Sequence, residues 1–268
     1  MTTQAAVLKP AVDAQSIGTK PIKVLKALKA FRQLTQNKED TEQVFEIIRA
    51  LSGDSIMRNF QRLLKTSEGG RQAYLAEELA DRLVDRDWLS QFAPGTVGAR
   101  YKEFIAPRNL SAAGLAEESR KLGEPDVDAA HPVAWFMRRL RDIHDIWHVL
   151  TGYGTDALGE ASVVAFTYGQ LGNFSLAFLS AGAAVELHKA HWPQPYARAI
   201  YEGYSRGRSA EWLPALDYAA LFETPLETAR AQLKLQRPRI YESVPPEARN
   251  GYRYGPEAIV PGGWLEAT

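Results

Sequence analysis

The chain has 268 residues, enough for one large domain or two small ones, and its 45% hydrophobic and 24% charged composition is that of a globular protein rather than a disordered one. Thirty-two basic residues balance 32 acidic ones, so no net field would hold a nucleic acid, and none is expected as a partner. With no cysteine, disulfides, thiolate metal sites and cysteine nucleophiles are excluded together, which suits a reducing compartment.

Residues 1–20 (MTTQAAVLKPAVDAQSIGTK) are polar and have neither the apolar core of a signal peptide nor the arginines of a transit peptide. They read as a flexible tail on a cytoplasmic protein. Ile22, Leu25, Leu28 and Phe31 then recur at helical spacing, surrounded by Lys20, Lys23, Lys26, Lys29 and Arg32. A basic amphipathic helix of this kind can lie on an anionic membrane surface; the simpler reading packs the stripe on the core and leaves the lysines in water. Helical spacing continues in Val44, Ile47, Ile48 and Leu51, in Ile56, Phe60, Leu63 and Leu64, and in Tyr74, Leu75, Leu79 and Leu83. Breaks are predicted at SEGG (67–70), APGTVG (93–98), LGEPD (122–126) and HWPQP (191–195), where glycine and proline end helices. Alternating strand patterns, a fixed-period repeat and a phosphate loop are all missing. No residue between Glu160 and Glu186 is charged, yet Thr167, Gln170, Asn173, Ser175 and Ser180 interrupt this stretch and Gly169, Gly172 and Gly182 weaken one continuous helix. A buried helix pair is predicted there rather than a membrane span. Beyond Arg237 the chain is rich in proline, glycine and tyrosine and is predicted to wrap the surface as loop. The expected fold class is all-α: a single-domain multi-helix bundle over residues 21–237, with a loop-rich extension at 238–268.

The stretch RDIHDIWHVLTGYGTDALGE (141–160) holds two of the five histidines. At about 100° per residue, with His144 at zero, His148 falls near 40°, Arg141 near 60° and Asp145 near 100°. Val133, Phe136, Leu140, Ile143, Trp147 and Leu150 fall between about −20° and −120°, so an apolar stripe runs beside an edge of convergent polar groups. Gly152 and Gly154 are predicted to end this helix, and Thr155 or Asp156 to cap the next. In the resulting helical hairpin His148 and Glu160 stand at the same level. Two imidazoles at i and i+4 with carboxylates nearby form a site for zinc, with iron, manganese or magnesium as alternatives. The same residues could instead form a buried hydrogen-bond network without metal. Asp145 occupies the position of the general base in the HExxH helix of zinc peptidases, which keeps a metal-dependent hydrolase open. An HD-type phosphohydrolase would need a further histidine and aspartate, for which His131 and Asp217 are the candidates. Glu186, His188 and His191 could hold a second ion, although a helix-end or surface role is the simpler one; His131, before a proline, marks a helix start.

The pattern His144-Asp145-x-x-His148, eleven residues, then Glu160 resembles the HDxxHx11E signature of the COQ4 family of ubiquinone biosynthesis. RDIHDIWHVLTGYGTDALGEASVVAF, APGTVG and YSRGRSAEWLPALDYAALFETPLETARAQLKL carry the same resemblance, over residues 40–235. It implies an all-helical, bacterial member of that family with a divalent metal, usually zinc, on His144, Asp145, His148 and Glu160. The implied substrate is a polyprenylated aromatic acid, decarboxylated oxidatively at ring carbon C1. A non-catalytic alternative is a prenyl-lipid-binding organiser of other quinone-biosynthesis enzymes. Beside that resemblance, Asp145 and Arg141 are candidate catalytic residues, and Arg138 and Arg141 could fork a substrate carboxylate. Phe166, Phe174 and Phe178 could wall a tunnel for an isoprenoid tail. A homo-oligomer and a place in the bacterial cytoplasm, peripheral on the inner membrane, are also expected.

Overall fold

Side chains that accept backbone N–H bonds set where the helices begin. Thr66, Asp85, Thr96, His131, Asp156 and Asp217 each do this at a helix N-terminus, taking donors that a first turn leaves unpaired. The structure is a computed structural model that describes residues 21–36, 41–106, 131–190 and 193–250. The first seven helices are α1 (Val24–Gln36), α2 (Thr41–Leu51), α3 (Ser55–Leu64), α4 (Ser67–Leu75), α5 (Leu79–Leu83), α6 (Arg86–Ser90) and α7 (Val97–Ile105). Four longer ones follow: α8 (Pro132–Thr151), α9 (Ala157–Leu171), α10 (Phe174–Ala190) and α11 (Tyr196–Ser209). After a 3-10 turn at Leu213–Ala215 come α12 (Tyr218–Phe222), α13 (Leu226–Gln232), α14 (Arg239–Ser243) and α15 (Pro246–Arg249). Among the described residues there is no strand, only an isolated bridge between Thr96 and Pro225. The chain is all-α, as its periodicity predicts.

Helix α8 runs through the core. Its Ile143, Ile146, Trp147, Val149 and Leu150 are buried with Val97, Tyr101 and Phe104 of α7, and with Phe222, Leu226 and Ala229 of α12 and α13. Nearer its start, Trp135 and Phe136 pack with Phe60 and Leu63 of α3. The one polar atom of Trp147 is satisfied, its indole N–H donating to the Tyr218 hydroxyl at 2.7 Å, as burial of a polar group requires. Helices α9 and α11 touch backbone to backbone: a Cβ on Gly203 would lie 2.5 Å from the Ser162 carbonyl oxygen, and one on Gly207 2.2 Å from that of Phe166. Only glycine permits that approach. The uncharged stretch forms the helix pair α9 and α10, parted at Gly172 with φ +62°. No helix among the described residues is long and apolar enough to cross a membrane.

Helix α1 meets the core by its alanines, not by the predicted stripe. Ala27 and Ala30 are buried with Ile47, Ala50 and Leu51 of α2, whereas Leu25 is 83% exposed and Ile22, Val24 and Leu28 are exposed too. Of the stripe only Phe31 turns inward, edge-on to Phe178 at 5.3 Å. Small side chains let α1 and α2 lie close, and each outward leucine forgoes roughly 2 kcal/mol of burial. SEGG opens a helix instead of closing one, because Thr66 accepts the Gly69 N–H at 3.1 Å; the break falls at Ala76, with φ +48°. The extension is not surface loop throughout: α14 and α15 form, and Tyr241 is fully buried with its ring edge-on to Tyr153 at 5.2 Å. The tail 1–20, LGEPD, His191 and residues 251–268 lie outside the described residues.

Candidate metal centre

The hairpin between α8 and α9 is held at every bend. Gly152 ends α8 at φ +79°, its N–H donating to the His148 carbonyl at 2.9 Å; a residue with a Cβ would be strained there. Asp156 then caps α9, one carboxylate oxygen accepting the Gly159 N–H at 2.8 Å. Its other oxygen accepts the Tyr241 hydroxyl at 2.5 Å, and that hydroxyl accepts the Gly154 N–H at 3.0 Å. Burial and the adjacent Asp156 carboxylate push the Tyr241 hydroxyl well above its ordinary range, so it remains protonated and donates. Glu160 follows in the first turn of α9.

His148 is fully buried, and its Nδ1–H donates to the Tyr153 carbonyl at 3.0 Å. That bond fixes the tautomer and leaves the Nε2 lone pair for a ligand. The Phe104 ring stacks on the imidazole at 5.6 Å between centroids. His148 Nε2 stands 3.2 Å from His144 Nε2 and 3.4 Å from Glu160 Oε2, and His144 Nε2 stands 3.5 Å from the same oxygen. Among the described residues these three form a group able to hold a metal ion. Burial would raise the Glu160 carboxyl, but the two imidazoles beside it, His148 and His144, hold it well below the usual carboxylate range. It is therefore anionic, as a ligand should be.

Residues 22–239 match the family model described as "Coenzyme Q (ubiquinone) biosynthesis protein Coq4". The chain belongs to the Coq4 family. The mitochondrial COQ4 homologue of Nematostella vectensis is 29% identical over 157 residues, covering 57% of this chain and 71% of the relative. The Caenorhabditis elegans protein coq-4 is 26% identical over 41% of this chain and 46% of its own length. The Rattus norvegicus homologue is 23% identical over 66% and 64% respectively. The chain thus spans less than two thirds of the nematode and rat proteins. A crystal structure from Nostoc punctiforme, of a protein provisionally described as acting in ubiquinone biosynthesis, superposes with TM-score 0.58 at 22% identity. It covers 80% of this chain and 99% of that one, and shows the shared fold.

Of the four ligands expected in this Coq4 chain, His144, His148 and Glu160 converge and Asp145 is not among them. Asp145 is half-buried about 100° further round α8. Arg138 forks the Glu78 carboxylate, with Nη2 at 2.6 Å, and Arg141 donates from Nε at 3.1 Å and Nη2 at 3.0 Å to one oxygen of Asp142. Each already holds the kind of group a substrate carboxylate would present. Phe166 is core, edge-on to Trp147 at 5.6 Å, Phe174 is exposed, and Phe178 is half-buried against Phe31; the three face different surroundings instead of one tunnel. His131 and Asp217 do not complete an HD-type site. Each is a helix cap, and Asp217 also pairs with Arg71 at 2.8 Å. Two buried arginines escape a reading by pattern. Arg230 donates to the Leu150 and Val149 carbonyls, both at 3.0 Å, and Arg206 to the Thr151 carbonyl at 2.8 Å, its guanidinium 4.8 Å above the Tyr153 ring. Together they take the last carbonyls of α8 and complement the negative end of its dipole. Both lie in the C-terminal stretch that carried the family resemblance, but nothing in its spacing distinguishes a buried arginine from a surface one.

Proposed function

We propose that this Coq4 chain is a metal-dependent enzyme of ubiquinone biosynthesis that acts on polyprenylated hydroxybenzoate-type precursors. The reaction is oxidative decarboxylation at ring carbon C1: the carboxyl group leaves as carbon dioxide, water supplies the oxygen of the hydroxyl that takes its place, and dioxygen takes up the two electrons and two protons as hydrogen peroxide. One observation carries the metal reading: three donor atoms of the right chemistry stand 3.2, 3.4 and 3.5 Å apart. His144, His148 and Glu160 would hold the ion, and two imidazoles with a carboxylate are a donor set that suits zinc. Two histidines and a carboxylate also suit iron(II). A bound zinc ion supplies Lewis acidity toward a phenol or carboxylate oxygen, and iron(II) adds a redox couple.

The chain's own groups do the rest. His148, fixed by Tyr153, keeps its donor atom aimed at the centre. Asp145, beside His144, is the candidate proton carrier, and Arg141 exchanges Asp142 for the substrate carboxylate. Family membership supports ring chemistry over a hydrolase. Elemental analysis of protein purified without chelator should find one zinc or iron ion per chain, and a carboxylated prenyl-phenol should be consumed. His148→Ala, if folded, should lose both. A wild-type chain without metal refutes the metal reading, and full turnover by metal-free His148→Ala refutes the catalytic one.

A further inference from the structure

Helix α1 is built inside-out. A helix held only by its own fold would turn leucines inward and alanines outward, and α1 does the reverse. At about 100° per residue, Leu28, Lys29 and Arg32 all fall within about 60° of Leu25, while Ala27 and Ala30 fall on the opposite side of the helix. The outward face therefore combines leucines with long cationic side chains. From Ile22 to Gln36 the chain carries Lys23, Lys26, Lys29 and Arg32 and no acidic residue. Lys26 is held at 2.5 Å by Glu46 of α2.

The helix beneath adds to this face. Phe178 and Gly182 of α10 lie under Phe31, so close that a Cβ on Gly182 would come within 2.3 Å of its ring. Phe174 and Val185 share the same stripe of α10, within about 80° of Phe178 and Gly182. Helix α1 thus crosses the middle of an apolar stripe whose two ends emerge exposed beside it.

We infer that the outer face of α1, with Phe174 and Val185 of α10, docks this chain on an anionic lipid surface. Apolar side chains enter the acyl boundary while lysine and arginine stems reach back to the phosphates, the arrangement of interfacial helices. Charge complementarity selects this occupant. A symmetric pairing of two copies through this face would set Lys29 and Arg32 against their own counterparts, whereas an anionic bilayer neutralises them and takes in the leucines. The inference does not rest on the metal reading; it would bring the chain to the phase in which polyprenylated compounds dissolve.

The full chain, mixed with phosphatidylcholine vesicles containing about one-third phosphatidylglycerol, should float with them and be released by salt, and should float far less with phosphatidylcholine alone. Each cation near such a surface contributes about fivefold to partitioning, so Lys29→Glu/Arg32→Glu should weaken binding by more than about tenfold. Leu25→Glu/Leu28→Glu changes only exposed positions, should keep the wild-type helical spectrum, and should lose binding to a similar extent. Because the chain has no cysteine, Leu25→Cys labelled with an environment-sensitive fluorophore should shift to the blue on anionic vesicles. Equal flotation on neutral vesicles, unchanged binding by the leucine pair, or a probe that stays in water would overturn the inference. So would a dimer in solution that the leucine pair abolishes, since a second copy would then cover the face.

Discussion

His148 can ligate through one nitrogen only, because its Nδ1 is committed to the Tyr153 carbonyl. Glu160, with 44% of its side chain accessible, reaches the same point from the facing helix, and the neighbouring imidazoles keep it ionised. Asp145 belongs to the signature but stands on another line of α8, so ligand and proton-carrier roles separate by substitution. Glu160→Gln removes the anionic donor and is expected to lower metal affinity by more than about 100-fold, beyond the 10–100-fold typical of losing an outer partner. Asp145→Asn is expected to keep one ion per chain and lose turnover. Competition with a chromophoric chelator measures the first, and product analysis on metal-loaded protein the second; metal loss in Asp145→Asn would make it a ligand after all. The convergent three were legible because spacing of i and i+4 and a glycine-ended hairpin are local geometry. Asp145 was assigned with them by its place in the motif, although a helix turns about 100° between neighbours. Arg206 and Arg230 were illegible as parts of the centre, since only the packing of α11 and α13 shows that their guanidinium groups grip the end of α8.

The hairpin is an element whose two helices are fastened by a third piece of chain. Tyr241 on α14 bonds at once to Gly154 in the loop and Asp156 at the α9 cap. Tyr241→Phe keeps the ring packing but strips both bonds, leaving a buried N–H and one carboxylate oxygen short of a partner. Each such group costs about 1–3 kcal/mol, so urea unfolding should show a loss of about 2–5 kcal/mol, together with weaker metal binding if the loop relaxes. A loss below about 0.5 kcal/mol would mean that α14 does not brace the hairpin. The caps of α8 and α9 were readable from glycine and aspartate chemistry, and the brace was not, because proline, glycine and tyrosine beyond Arg237 read as loop. Helix α1 fails differently. Periodicity tells which residues share a face but not which face turns inward, and here the narrow alanine face fits against Ile47, Ala50 and Leu51.

For the whole molecule, a metal bound by the native state alone is a stabilising ligand, worth about 4 kcal/mol when free metal exceeds its dissociation constant a thousandfold. His144 and His148 share α8 but Glu160 comes from α9, so the ion would bridge two helices of the central bundle, and local opening of the hairpin would release it. The melting temperature of metal-depleted protein should therefore rise by about 10 °C on saturation with zinc, taking roughly 2–4 °C per kcal/mol for a chain of this size. Acid should erase that gain, and the sign follows from the groups involved. Imidazole must shed its proton to bind a metal, so protonation of His144 and His148 competes with the ion as pH falls. Glu160 works the other way: with its carboxyl held below the ordinary range, its contribution is present above the unfolded value and is lost only as pH drops through the depressed one. The zinc-dependent rise should accordingly shrink as pH falls, because protons and the ion compete for the two imidazoles. Differential scanning at a series of pH values, with zinc and with chelator, would follow this fading. A zinc-dependent rise that does not change at any pH would show that the ion is not held by His144 and His148.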